Sequence, residues 1–125
     1  MKNGYKKPEL KSLFYDKEVE KLPPLNGKTI AITGTTSGTG FIAAKTVAEK
    51  GARTLLLNRT TNRSKKSYDL LKDLCPKENL INIECDLQSF ESVKKSIKTI
   101  IDSCKAGLDI LCNNAPEMWK SKFLF

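Results

Sequence analysis

The sequence contains no histidine, and its four cysteines form no C-x-x-C pair. Histidine is the commonest general base in enzymes, so its absence excludes Ser-His-Asp and Cys-His catalytic sites. Paired cysteines are the usual mark of a zinc site, and without them we expect no bound metal. Cys85 and Cys112 each end an apolar run, where a thiol acts as a small hydrophobic group. These features favour an intracellular, cytoplasmic protein with reduced thiols.

Long hydrophobic runs are also missing. No apolar segment approaches the ~20 residues of a membrane helix, and residues 1–27 lack the continuous apolar stretch of a secretory signal. A hydrophobic content of 39% with 29% charged residues is typical of a globular domain. The net charge of +8 favours anionic ligands. Because the lysines are spread along the chain and mixed with acids, a nucleic-acid binder is the least favoured class.

Short apolar runs alternate with amphipathic segments along the chain. The runs predict strands at 28–34, 53–57, 80–84 and 108–112, and the segments predict helices at 38–50, 63–74 and 89–104. This alternation indicates an α/β fold, a doubly wound parallel sheet with right-handed crossovers and the strand order 3-2-1-4. Three parts follow: a polar lead-in with a possible short helix at 1–27, the folded domain at 28–117, and an apolar tail at 118–125.

Further expectations concern the lead-in, the last helix and the fourth strand. Leu10, Phe14 and Val19 are spaced to form one face of the short helix, which Pro23 would end. In the clearest of the later helices, at 89–104, apolar residues recur at steps of three or four, as in an amphipathic helix. These residues are Phe90, Val93, Ile97, Ile100, Ile101 and Cys104. With four strands alone, we expect the fourth strand to keep an unpaired edge and an uncovered apolar face.

A glycine-rich turn lies where the first predicted strand becomes the first long helix. It reads Thr-Gly-Thr-Thr-Ser-Gly-Thr-Gly over residues 33–40. Glycine lets backbone N–H groups approach a pyrophosphate closely, and the helix that follows presents its positive end. Thr36 and Ser37 add hydroxyl donors. A glycine cluster between a strand and a helix predicts a dinucleotide-phosphate site.

This turn resembles the T-G-x-x-x-G-x-G signature of the short-chain dehydrogenase/reductase family. Three more elements follow in the family's order: Asn58-Arg59, Asp86-Leu87 and Asn113-Asn114-Ala115. The resemblance covers about residues 25–118 and is greatest to the classical type, within it to the retinol-dehydrogenase-like branch. It implies a Rossmann-like, NADP(H)-dependent oxidoreductase that transfers hydride between nicotinamide and a carbonyl or alcohol. The implied cofactor-binding residues are Gly34, Thr36, Ser37, Gly38, Thr39, Gly40, Asn58, Arg59, Asp86, Leu87, Asn114 and Ala115.

The end of the second strand favours NADP(H) over NAD(H). NAD-dependent enzymes place an acid there to accept a hydrogen bond from the ribose 2′-hydroxyl. Here Asn58 is neutral, and Arg59 offers a forked cation suited to a 2′-phosphate, with Arg63 as a second candidate. The alternative is that Arg59 is a solvated loop cation.

Two other positions also have purely structural interpretations. Asp86 could stabilise a helix start without any ligand, although the resemblance assigns it to the adenine ring. Asn114 could tie neighbouring strands together through side-chain-to-backbone hydrogen bonds, and the resemblance implies that it does so while lining the cofactor pocket. Asn113 is interpreted as structural.

The sequence also departs from the family pattern. Thr39 stands where the family usually has isoleucine, and Pro116 replaces the last glycine of Asn-Asn-Ala-Gly. The family's catalytic Ser, Tyr and Lys lie beyond that segment, so these 125 residues are expected to bind cofactor without catalysis. A small-molecule substrate would bind only with the missing half supplied. Tyr68 and Lys72 match Tyr-x-x-x-Lys by letters but fall on a helix far from the nicotinamide. A non-catalytic module that binds a nucleotide or a partner protein is the alternative function.

Overall fold

The computed structural model describes residues 12–115, which form a parallel sheet covered by helices. The strands are β1 (Thr29–Thr33), β2 (Arg53–Asn58), β3 (Leu80–Glu84) and β4 (Ile110–Cys112). The helices are α1 (Tyr15–Lys21), α2 (Gly38–Glu49), α3 (Asn62–Leu74) and α4 (Phe90–Ser103), with a 3-10 turn at Lys77–Asn79. The strands lie in the order β3-β2-β1-β4. The predicted fold class and strand order are confirmed.

The register of the sheet brings the ends of β1 and β2 together. Thr33 pairs with Leu57, so the residues that follow each strand start as neighbours. On the other side of β1, Ile32 pairs with Cys112, the last residue of β4. The segments after β1, β2 and β4 therefore meet at the carboxyl edge of the sheet, where doubly wound folds place their ligands.

Alternate residues of the strands face two separate apolar cores. Ile30, Ile32 and Leu56 pack on one face with small and apolar residues of α2 and α3. Ala31, Leu55 and neighbouring residues pack on the other face. Because α4 covers that second face, the helices lie on both sides of the sheet, as the crossover rule requires.

The helix predicted at 89–104 is present as α4, but only half of its six apolar residues pack against the sheet. Val93, Ile100 and Cys104 pack against the sheet. Phe90, Ile97 and Ile101 are exposed by 87%, 49% and 66%. A helix that covers one face of a four-stranded sheet buries only a narrow stripe, so the second stripe remains in solvent.

The fourth strand is shorter than predicted and begins at Ile110. Ile110 and Leu111 are about half exposed, at 50% and 52%. In the described part of the chain, β4 pairs with β1 alone. The expected unpaired edge and uncovered apolar face are both present at β4.

The lead-in contributes one short helix, α1, which ends before Pro23. Its predicted apolar face is not buried, because Phe14 precedes the helix and is 70% exposed; Leu10 lies outside the described residues. Instead, the Tyr15 hydroxyl shares a hydrogen bond with Thr46 of α2 at 2.5 Å. Between residues 12 and 115, no helix is both long and apolar enough to cross a membrane.

Candidate functional site

The glycine loop, residues 34–40, leaves the carboxyl end of β1 and enters α2. Gly34 has φ +71 and Gly38 has φ +60, a region that L side chains rarely adopt. At Gly34 a Cβ atom would also lie 2.8 Å from the Cβ of Ala115. At Gly40 it would collide with the carbonyl oxygen of Gly34 and lie 2.6 Å from Nδ2 of Asn114. The loop is therefore wound tightly against the segment that follows β4.

The space above the loop is open. A Cβ atom at Gly38 would meet no described atom within 4 Å. Ser37 is the N-cap residue of α2, yet its side chain makes no capping hydrogen bond. By contrast, Thr61 and Ser89 cap α3 and α4 through their hydroxyls. The first-turn N–H groups of α2 are left for another acceptor, and the helix end favours an anion there.

Asn58 supports the loop from beneath. Its side chain is buried, with 8% exposure. Its Oδ1 accepts a hydrogen bond from the Thr35 backbone N–H at 2.8 Å, and its Nδ2 donates to the Thr35 hydroxyl oxygen at 2.7 Å. From α3, the Ser67 hydroxyl donates to the Thr35 carbonyl oxygen at 3.1 Å. Asn58 therefore positions the glycine loop, a role that the sequence did not indicate.

The segment after β4 closes the other side of the loop. Nδ2 of Asn114 donates to the carbonyl oxygens of Thr33 and Gly34, both at 3.2 Å. The backbone N–H of Ala115 donates to the Thr33 hydroxyl oxygen at 3.0 Å. The structural interpretation of Asn114 is thus correct: its amide joins β4 to β1 beneath the loop. Asn113 is exposed, and Pro116 lies outside the described residues.

Asp86 and Leu87 lie at the carboxyl end of β3, before α4. The Asp86 carboxylate accepts a hydrogen bond from the Gln88 backbone N–H at 3.0 Å, and the Asp86 N–H donates to the Ser92 hydroxyl at 2.8 Å. Leu87 is 37% exposed. The aspartate therefore shapes the turn into α4, while Leu87 presents an apolar surface at the same edge of the sheet as the loop.

Two arginines follow β2 at the loop's outer side. Arg59 is exposed and makes no ion pair within residues 12–115. Nη2 of Arg63, in the first turn of α3, donates to the Ser37 hydroxyl oxygen at 2.7 Å. Thr36 and Thr39 belong to the same rim, Thr36 half-buried and Thr39 exposed. Arg63 brings a guanidinium group to the uncapped helix end, and Arg59 follows β2 at the same edge of the sheet. A guanidinium group beside a free helix end suits a phosphate.

The Tyr68-x-x-x-Lys72 match is structural. Tyr68 packs against the core beneath α3, and Nζ of Lys72 lies 4.9 Å from the centre of its ring. Lys72 also pairs with Asp69 at 2.9 Å, and this hydrogen bond raises the pKa of the lysine. Neither residue reaches the carboxyl edge of the sheet. In the described residues, no group of three His, Cys, Asp or Glu could hold a metal ion.

Comparison with known proteins agrees with this geometry. The family model described as short chain dehydrogenase matches residues 28–124. The chain belongs to the short-chain dehydrogenase family. Members of this family bind a nicotinamide dinucleotide. The narrower assignment to a retinol-dehydrogenase-like branch stays a prediction.

Curated relatives from distant organisms match the same region. The short chain dehydrogenase/reductase dpchH of Colletotrichum higginsianum is 31% identical over 103 residues, covering 80% of this chain and 25% of the relative. Dehydrogenase/reductase SDR family member 13 of Bos taurus is 34% identical over 94 residues, covering 75% and 25%. The chain thus spans about a quarter of the length of these relatives.

Solved structures share the fold. The L-sorbose reductase of Gluconobacter frateurii, complexed with NADPH and L-sorbose, superposes with a TM-score of 0.64 at 30% identity. The match covers 74% of this chain and 34% of the reductase. The N-domain of a bacterial malonyl-CoA reductase, with NADP, gives a TM-score of 0.68 at 26% identity over 77% and 18% of the two chains.

Sequence reasoning included Thr33 and Thr35 in the glycine-rich turn without giving them a role, and it missed Ser67. Thr35 is fully buried, and Thr33 is 5% exposed. A polar residue at the end of an otherwise apolar buried strand is a usable signal, because a buried hydroxyl needs a hydrogen-bond partner. Ser67 gave no signal, since serine on a helix is commonly exposed.

Proposed function

We propose that the glycine loop binds the pyrophosphate of NADP(H), and that the protein is an oxidoreductase that transfers hydride between this cofactor and a carbonyl or alcohol. The observation that carries the proposal is the uncapped first turn of α2 beneath open space at Gly38. Family membership supports the same cofactor class. The bound cofactor would donate hydride to a carbonyl or accept it from an alcohol, while this chain binds and orients the cofactor.

Each predicted site residue has a place in the proposed complex. The N–H groups from Gly38 to Gly40 face the pyrophosphate together with the helix dipole. Thr36 and Ser37 offer hydroxyl donors at the rim. Asp86 and Leu87 border the adenine end. Gly34, Asn58, Asn114 and Ala115 hold the loop in shape from below and behind.

Preference for NADP(H) over NAD(H) rests on the charge at the end of β2. Neither Asn58 nor Arg59 supplies the acid that accepts from a free ribose 2′-hydroxyl. Arg59 and Arg63 stand at the rim with guanidinium groups that no carboxylate pairs among residues 12–115. A 2′-phosphate would give both groups a charged partner, and an arginine–phosphate pair is among the strongest hydrogen bonds.

The share of the activity proposed for this chain is cofactor binding, with no catalytic residue assigned among its 125 residues. The chain spans a quarter of its curated relatives, so substrate choice and hydride transfer are proposed for the whole protein. These 125 residues on their own are expected to bind NADPH without turnover.

Calorimetric titration of the purified chain with NADPH and with NADH tests this proposal. We expect NADPH to bind at least tenfold more tightly than NADH, because a charged hydrogen-bond pair contributes about 1.5–3 kcal/mol. A folded chain, shown by circular dichroism, that binds neither cofactor would remove the assignment. Equal affinities would leave the cofactor class standing and overturn the NADP(H) preference.

A further inference from the structure

A cavity lies beside the glycine loop, between the N-terminal parts of α2 and α3. Its volume is about 710 Å³, within the range of about 300–1,000 Å³ typical of small-molecule sites. It is called the α2–α3 groove here. Three of its lining residues, Thr36, Ser37 and Gly38, also belong to the glycine loop. Arg63, which lines it as well, is a proposed partner of the 2′-phosphate, so the groove adjoins the proposed cofactor site.

The floor of the groove is apolar. It is formed by Phe41 and Ile42 of α2 and Leu70 of α3. Ile42 and Leu70 are 49% and 50% exposed, although both are large aliphatic residues. These three apolar side chains come from two helices and line the same cavity, so they form one apolar surface. A ligand bound there would remove this surface from water.

The rim of the groove is cationic. Arg63 and Lys66 lie one turn apart on α3, and both line the cavity. None of the described residues that line it is acidic. Lys66 makes no ion pair in the described chain, and Arg63 hydrogen-bonds only the neutral Ser37 hydroxyl there. An anion at this rim would meet two cations and no competing carboxylate.

We propose that the α2–α3 groove binds a small amphiphile with one alkyl chain and an anionic head, such as a carboxylate of fatty-acid type. The alkyl chain lies on Phe41, Ile42 and Leu70, and the head pairs with Lys66 and Arg63. Charge complementarity favours this ligand. A cationic amphiphile would be repelled by Lys66 and Arg63, and a purely polar anion would leave the apolar floor of the groove exposed to water. The inference goes beyond the proposed function, since the alkyl chain lies on residues that the dinucleotide does not use. Only Arg63 is shared with the proposed 2′-phosphate position.

Sodium decanoate is a suitable probe, titrated into the whole chain below its micelle-forming concentration. Butyrate shortens the alkyl chain, and decyltrimethylammonium reverses the charge. We expect saturable binding of decanoate and at least about tenfold weaker binding of both controls, as the loss of several buried CH₂ groups or of the charge pair implies. Equal binding of decyltrimethylammonium would overturn the proposal.

Matched variants locate the site. Leu70→Asn is paired with Leu74→Asn, one turn further along α3, where Leu74 is 44% exposed and does not line the groove. Lys66→Gln is paired with Lys65→Gln, its exposed neighbour. We expect decanoate affinity to fall about tenfold for Leu70→Asn and about threefold for Lys66→Gln. The control variants Leu74→Asn and Lys65→Gln should change decanoate affinity less than twofold.

A second readout separates this site from the exposed apolar face of α4 and β4. Decanoate should shift amide NMR signals at 37–42 and 62–70. Shifts confined to 97–101 and 110–112 would overturn the proposal. Unchanged affinity in the Leu70→Asn, Lys66→Gln double variant would do so as well. Because both replaced side chains are exposed, the variants are expected to remain folded, and the NMR spectrum reports this directly.

Discussion

Asn58, the last residue of β2, supports Thr35, the second residue of the glycine loop, through two hydrogen bonds of 2.8 and 2.7 Å. The two residues lie 23 positions apart in sequence and are joined by the pairing of β1 with β2. Asn58 thus fixes the shape of the proposed phosphate site.

Replacing Asn58 by alanine should lower the stability of the fold. The change leaves the Thr35 N–H buried without an acceptor, which costs about 1–3 kcal/mol in free energy of unfolding. Urea unfolding measures this through the midpoint at constant slope. Asn82→Ala, at an exposed position on β3, is the matched control and should change stability by less than about 0.5 kcal/mol. Indistinguishable midpoints for the two variants would refute the supporting role of Asn58.

Neutralising Arg59 should weaken the binding of NADPH but not the binding of NADH. Arg59→Gln is expected to weaken NADPH binding about tenfold and to leave NADH binding unchanged, because only NADPH carries the 2′-phosphate. Calorimetry with both cofactors measures the difference. Lys98→Gln, an exposed change on α4, controls for the lowered net charge. An equal loss of NADPH and NADH affinity would mean that Arg59 does not bind the 2′-phosphate.

The thiol of Cys75 should react slowly in the folded protein. Burial raises the pKa of this thiol above its usual value, so less thiolate is present in mildly alkaline buffer, and the side chain is only 7% exposed. The described cysteines are all free, and Cys112 is more accessible. With iodoacetamide at about pH 8, mass spectrometry should find Cys75 modified at least tenfold more slowly than Cys112. Urea should abolish the difference; equal rates in the native state would contradict the buried position.

The raised pKa of Cys75 also sets the sign of a pH effect. The folded state holds this proton more tightly than the unfolded state, so the contribution to stability is present below the ordinary thiol pKa. It is lost as the pH rises through the raised value. Unfolding midpoints measured at increasing alkaline pH should therefore fall, and less so in Cys75→Ala after correction for its lower starting stability.

The sheet could be predicted from the sequence because short apolar runs and glycine turns are local signals. Strand β3 spans the predicted residues 80–84, and the glycine turn sits between β1 and α2 as expected. The contacts of Asn58 could not be predicted, since they depend on the register between two strands. The two apolar stripes of α4 could not be distinguished either. Ile97 and Ile100 have the same hydrophobic character, and only the position of the sheet decides which one packs against the core.

The most direct test of the glycine loop compares two glycines that differ only in position. Gly38 and Gly27 both have positive φ, +60 and +80, and at both a Cβ atom would have open space. Each change to alanine should therefore cost about 1–2 kcal/mol of stability. Gly38→Ala should also abolish or greatly weaken NADPH binding, because its methyl group would occupy the proposed position of the pyrophosphate. Gly27→Ala should bind NADPH as the unmodified chain does. Full NADPH affinity in folded Gly38→Ala would contradict the proposed site.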